Sequence, residues 1–342
     1  MSTKLIAILN TGLVTSVGLS APASCAALRA KLTNPSETRF VDSQGERIIA
    51  HQVMLSKPWR GRTKLAKMAA MATDEALLGV SREEWARIPL LLCIAEIERP
   101  GRPEELEELF AQLQTELGAR FAPQSSVIAH GRVSVAVALA RARALIEEDR
   151  AQRIVVVATD SLISWATLAQ YARDDRLLSN RNSNGFMPGE GAGALLVGES
   201  NGASGELVCT GIGFAQETAH VSSDEPLRAD GLTRAINAAL MEAGRQMHDM
   251  DFRITDLSGE QYYFKEAALA LSRVLRKHKE EFELWHPAEC TGEQGAAVGA
   301  TMIALVRSAC QKSFARGPNI LAHMANDAGQ RAALSLQFRG AP

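Results

Sequence analysis

The stretch whose residue types and spacing could do chemistry runs from Pro123 to Glu147. β-Branched Val127 and Ile128 read as the end of a strand, Ala129-His130-Gly131 as a tight turn, and Val133 to Ile146 as an Ala-rich apolar helix. A strand-turn-helix of this kind lifts one side chain clear of the backbone. The helix N-terminus beside it offers unpaired N–H groups and partial positive charge to an anion. The residue lifted here is His130, which occupies a nucleophile's seat.

Other candidate chemistry is sparse. The five cysteines (Cys25, Cys93, Cys209, Cys290, Cys310) are scattered and form no C-x-x-C pair, which argues against a disulfide framework or a zinc site. Cys290 reads as a buried structural thiol. His220, His248, His278, His286 and His323 show no ligand spacing. Gly189-Glu-Gly-Ala-Gly193 lacks the preceding strand and later acidic partner of a dinucleotide site and reads as close backbone packing. Lys plus Arg is 37 against 39 for Asp plus Glu, a balance that argues against nucleic-acid binding. Arg residues cluster at Trp59-Arg60-Gly61-Arg62 and at Arg141, Arg143, Arg150 and Arg153; the first cluster is a candidate surface for an acidic carrier protein. No stretch reaches membrane-spanning length and the N-terminal apolar run is short for a signal peptide, so a reduced, cytoplasmic setting is expected.

The elements that must position His130 follow from hydrophobic pattern. Strands are expected at 5–10, 89–96, 153–159 and 188–200, with a loop at 11–19 and an irregular segment at 33–62. Helices are expected at 22–31, 64–80 (capped by Thr63), 104–121 and 162–173. The turn at 201–206 marks a boundary. Beyond it the order repeats: strand 206–214, helix 231–247, strand 251–257, helix 261–279, an extended piece 282–285, helix 294–312, then strands 319–323 and 331–338. Apolar strands alternating with helices indicate an α/β protein with sheets covered on both faces. The repeated order suggests an internal duplication, with halves at 1–200 and 201–342.

Taken together and in order, these pieces resemble the β-ketoacyl synthases of the thiolase superfamily. The resemblance is carried by Thr11-GLVTSVG-Leu19, the turn at His130 with its trailing helix, and Val155-VVATD. It continues in Ser179-NRNSNGFMPGEGAGALLVGE-Ser200, Gly231-LTRAINAALMEAG, Asp249-MDFRITDLSGE, Thr291-GEQGAAVGA-Ala300 and Asn319-ILAHMANDAGQRAALSLQ. It implies a thiolase fold, two similar halves in a five-layered αβαβα sandwich, and a dimer formed through a strand near the turn, here 153–159.

The resemblance also implies a cysteine at the turn and two histidines on neighbouring loops. The cysteine carries the acyl group and the histidines stabilise an enolate. In this chain those positions fall on His130, Ser258 and Glu293. An imidazole cannot hold an acyl chain as a thioester, and a carboxylate opposes a developing enolate. The implied function is a catalytically degenerate partner or adaptor, without cofactor or metal. It would form a homodimer, or a heterodimer with a related synthase, and meet an acyl carrier protein; alternatively it would accompany a secretion effector. The competing reading is a divergent acyltransferase or acyl-thioester hydrolase, in which His130, Ser258 and Glu293 act as a Ser/His/acid set. A metal held by His130, Glu260 and Glu293 would have a poor donor set for a transition metal.

Overall fold

The computed structural model of the chain describes residues 4–103, 106–148 and 151–340; Glu104 and Arg150, used above, lie outside them. The first elements are β1 (Ile6–Val14), α1 (Ala21–Arg29), β2 (Ser36–Val41), β3 (Arg47–Ala50), α2 (Gly61–Ala76) and β4 (Leu90–Ile94). Then come α3 (Leu109–Leu117), β5 (Ser126–Ala129), α4 (Ser134–Glu147), β6 (Arg153–Ser161), α5 (Trp165–Arg173) and β7 (Glu190–Glu199). The remainder is β8 (Leu207–Gln216), α6 (Asp230–Glu242), β9 (Phe252–Thr255), α7 (Gln261–Val274), β10 (Leu284–Trp285), α8 (Ala288–Thr291), α9 (Val298–Gln311), β11 (Asn319–Ala325) and β12 (Gln330–Phe338).

The strands follow one order twice. β5-β4-β6-β7-β1 in the first part matches β10-β9-β11-β12-β8 in the second. Pairing directions match as well: β4 is parallel to β5 and β6, as β9 is to β10 and β11, and β7 and β12 are antiparallel to both their neighbours. The two five-stranded sets touch edge to edge where Ile6–Ile8 of β1 pairs with Leu207–Cys209 of β8, giving one continuous ten-stranded sheet.

Five layers result, as expected from the sequence. α4 and α9 lie between the two sets, in a core that also takes the inner faces of β6, β7, β11 and β12. α2 and α3 cover the outer face of the first set, and α6 and α7 that of the second. α9 is buried on nearly every side because sheet and helix surround it, whereas α4 keeps a face with Arg141 exposed. Small residues let them approach: a Cβ on Gly299 of α9 would sit 2.8 Å from Val135 Cβ of α4.

Some expectations are corrected. β1 continues through Val14 instead of ending at a Gly-rich loop, because Gly12 serves a close contact and not a turn. A Cβ there would lie 2.0 Å from the Ala72 carbonyl oxygen of α2. The irregular segment 33–62 contains the β2–β3 hairpin, whose mostly exposed residues hide it from a hydrophobicity reading. α2 starts at Gly61, and Thr63 is not its cap; the Thr63 hydroxyl accepts from Gln112 Nε2 of α3 at 3.3 Å. The strand expected to form a dimer, 153–159, is interior. β6 is hydrogen-bonded on one side to β4 and on the other to β7, so no second chain can pair with it. The edge strand on this side is β5.

Candidate functional site

Each half ends a strand or loop in the same sharp turn into a central helix. In the first elbow His130 (φ −121°, ψ 15°) precedes Gly131 (φ 55°), ahead of α4. In the second Gln294 (φ −100°, ψ 8°) precedes Gly295 (φ 54°), ahead of α9. Positive φ favours glycine at both. Both also lack room: a Cβ on Gly131 would meet Glu96 Oε2 at 1.8 Å, and one on Gly295 would meet Asp160 Oδ2 at 2.1 Å.

The structure places His130 half-buried at the first elbow. Its Nδ1 lies 3.0 Å from Gln330 Oε1 and its N–H donates to Ser134 Oγ at 2.9 Å. Glu293 is buried at the second elbow. Its Oε1 accepts from the Gly295 N–H at 2.9 Å and its Oε2 from Arg132 Nη1 at 3.3 Å. Burial is the chief cause of a carboxyl pKa pushed up to about 7; Arg132 opposes the rise and Asp256 adds to it. Ser258 Oγ lies beside Glu293 closely enough to favour its charged form, yet buried as it is has no partner at hydrogen-bond geometry. No hydrogen bond among the described residues joins Ser258 to His130, so a hydrolase relay is not assembled. Glu260 is separate from both and pairs with Arg176.

What sequence reasoning missed is the lattice of ions between the elbows. Arg132 follows Gly131 and reaches Asp327 at 2.9 Å, Glu293 at 3.3 Å and Asp256 at 3.8 Å. Arg176 bonds Glu260 and Asp327, each at 2.6 Å, and Tyr263 donates to Asp327. Arg99 bonds Asp160 at 2.5 Å. Burial alone would raise the Asp327 pKa, but Arg132, Arg176 and Tyr263 overcome it and hold the carboxyl well below the usual range. Burial wins at Glu96 and Asp256, whose carboxyls are raised. The space left among these side chains is about 20 Å³. One signal was available. Glu96, Asp160, Asp256 and Asp327 each follow, within two residues, the apolar run of β4, β6, β9 or β11, and so collect at the carboxyl ends of neighbouring strands.

The Gly-rich run behind the site packs closely, as its composition implies. Cβ atoms would approach the Thr291 carbonyl oxygen at 2.4 Å from Gly189 and Ala300 Cβ at 2.6 Å from Gly193. All five cysteines are buried, and burial raises every thiol, Cys25 and Cys290 to about 11 and Cys209 and Cys310 to about 12. Among the described residues no group of three or more His, Cys, Asp or Glu could hold a metal ion, and no helix is long and apolar enough to cross a membrane. A larger groove of about 630 Å³ opens elsewhere, lined by Arg39, Lys57, Trp59, Arg60 and Trp165 among others. Arg62 turns away from it to Glu108.

No protein-family model and no curated protein matches the sequence. Solved structures do. The ishigamide ketosynthase/chain length factor superposes with a TM-score of 0.81 over 99% of this chain and 100% of that chain, at 16% identity. A type II polyketide ketosynthase bound to its acyl-carrier protein gives 0.80 over 98% of this chain and 100% of that chain, at 16% identity. A β-ketoacyl synthase from Burkholderia phymatum STM815 gives 0.76 over 98% of this chain and 99% of that chain, at 15% identity. The chain therefore shares the fold of these structures, the thiolase fold expected from the sequence.

Proposed function

We propose that this thiolase-fold chain is a catalytically degenerate β-ketoacyl synthase-like protein that acts as a non-catalytic partner, its halves meeting at residues 200 and 201. The observation that carries the reading is the filling of the elbow cavity. Where an acyl thioester would stand, His130 is tied to Gln330, and Arg132, Arg176 and their carboxylates leave about 20 Å³. A nucleophile's partners are absent as well. A single missing oxyanion donor costs about 3 kcal/mol of barrier, and Glu293 places a titratable acid where an oxyanion must form. None of the five thiols is positioned or acidic enough to substitute.

The partner is proposed to be a related synthase or an acyl carrier protein. Similar folds are found as ketosynthase/chain length factor pairs and in complex with a carrier protein. The free edge of β5 is the strand that can extend onto a second chain. The groove beside Arg39, Lys57 and Arg60 offers positive charge with aromatic walls to an acidic carrier. The protein belongs, on this reading, in the cytoplasm.

The deciding experiment is incubation with acylated carrier protein and with malonyl thioester, read by intact mass and by carbon dioxide release. Neither an acyl adduct nor decarboxylation is expected. His130→Cys is expected to remain without condensing activity, because Ser258 and Glu293 stay in place. Adduct formation by the unmodified chain would establish the acyltransferase or hydrolase reading instead.

A further inference from the structure

We propose that the small cavity between the elbows binds a carboxylate head group and that Arg99 is its receptor. Arg99 is 6% exposed and lines this cavity. Its Nη1 donates to Asp160 at 2.5 Å, which fixes the guanidinium plane. Its Nε and Nη2 are both buried, and neither has a hydrogen-bond partner. These two nitrogens lie along one edge of the guanidinium. Their parallel N–H bonds have the spacing of the two oxygens of a carboxylate. Buried donors of this strength are seldom left unmet, so an unpaired fork on an arginine that lines a cavity points to a missing acceptor.

Size and charge narrow the occupant. The cavity, about 20 Å³, exceeds the roughly 10–15 Å³ that one water requires, but only modestly. It has room for formate or bicarbonate, or for the head of a slender acid entering past Asp327, whose side chain is 23% exposed. The acidic wall does not cancel the fork. Glu260, Glu293 and Asp327 are each bonded to Arg132 or Arg176. Glu96, the remaining acid of the wall, has its carboxyl pKa raised by burial, with Arg99 opposing the rise. A bound cation would face an unshielded guanidinium edge. This inference does not depend on whether the chain turns over acyl groups.

The test is titration of the full chain with sodium formate, followed by calorimetry and by thermal unfolding, against sodium chloride at equal ionic strength. Saturable binding and a rise in Tm with formate alone are expected. Arg99→Lys keeps a positive charge opposite Asp160 but loses the fork, and should weaken binding by at least about tenfold. A formate-soaked crystal of the unmodified chain decides the matter independently if that variant does not fold. Formate spanning Nε and Nη2 supports the proposal. A lone water on the fork, an equal response to chloride, or equal binding by Arg99→Lys overturns it.

Discussion

The two elbows share a backbone and differ in what they reach with. Each places a polar residue before a glycine of φ near 55°, and each glycine is pressed against an acid at the end of a parallel strand. The second elbow is finished by its own helix and by backbone contact with one acid of the first half. Gln294 is fully buried and accepts from Thr301 of its own helix at 3.0 Å, and the Ala296 N–H donates to Asp160 of the first half at 3.0 Å. The first elbow is finished at long range. His130 leans on Gln330, and Arg132, at the position that Ala296 holds in the other, extends to three carboxylates of the second half. One turn thus meets the opposite half through its backbone, as a fixed joint, and the other through a charged side chain, as a clamp.

The clamp gives the largest expected effect. Arg132→Met keeps much of the side-chain volume but leaves Asp256, Glu293 and Asp327 without their shared cation. Removing one partner of a buried ion network costs about 3–5 kcal/mol, and urea unfolding should show a loss of that size. A loss under about 1 kcal/mol would mean that the lattice is ornament, since surface-like pairs contribute no more.

The glycines come next and separate the elbows directly. Gly295→Ala should cost about 3 kcal/mol: left-handed strain of about 1–2 kcal/mol plus a clash with Asp160. That acid cannot move away, being held by Arg99, by the Ser161 N–H at 2.8 Å and by the Ala296 N–H. Gly131→Ala meets Glu96, a longer side chain bonded to its own backbone, which can swing aside. Its cost should stay near the roughly 1–2 kcal/mol of backbone strain. Equal losses in paired unfolding curves would erase the distinction between joint and clamp.

How much of this was readable beforehand depends on the distance over which a signal acts. Buried strands such as Leu90–Ile94 and the turn at His130 declare themselves within a few residues, because apolar runs and glycine act locally. The ordered motifs carried the five-layered fold for the same reason. Glu293 was found through its place after Thr291-Gly292. Arg132, Arg176 and Asp327 were not, because each looks like an ordinary surface charge until the sheet order brings them together. The dimer strand was misplaced for a related reason: apolarity makes 153–159 a strand, but only pairing with β4 and β7 shows that it has no free edge.

The last effect shows only as a slope with pH and concerns the single carboxyl that belongs to both elbows. Glu293 precedes Gln294 in the second and pairs with Arg132 of the first, yet burial holds its pKa up at about 7. One arginine serves three acids there, and Glu293 is not its nearest. A group with a raised folded-state pKa contributes stability that is complete below its unfolded value, near 4.5, and is lost as pH rises through the folded value. Folding should therefore weaken as pH rises from about 4.5 through 7, by up to about 3 kcal/mol from this residue. Glu293→Gln, which is neutral throughout, should remove that part of the slope. Denaturant unfolding of both proteins across the range would show curves that run together near pH 4.5 and diverge toward pH 7 and above, the unmodified chain falling below the variant. Parallel curves would mean that Arg132 keeps Glu293 ionised, and that the clamp is an ion pair at every pH where the chain is folded.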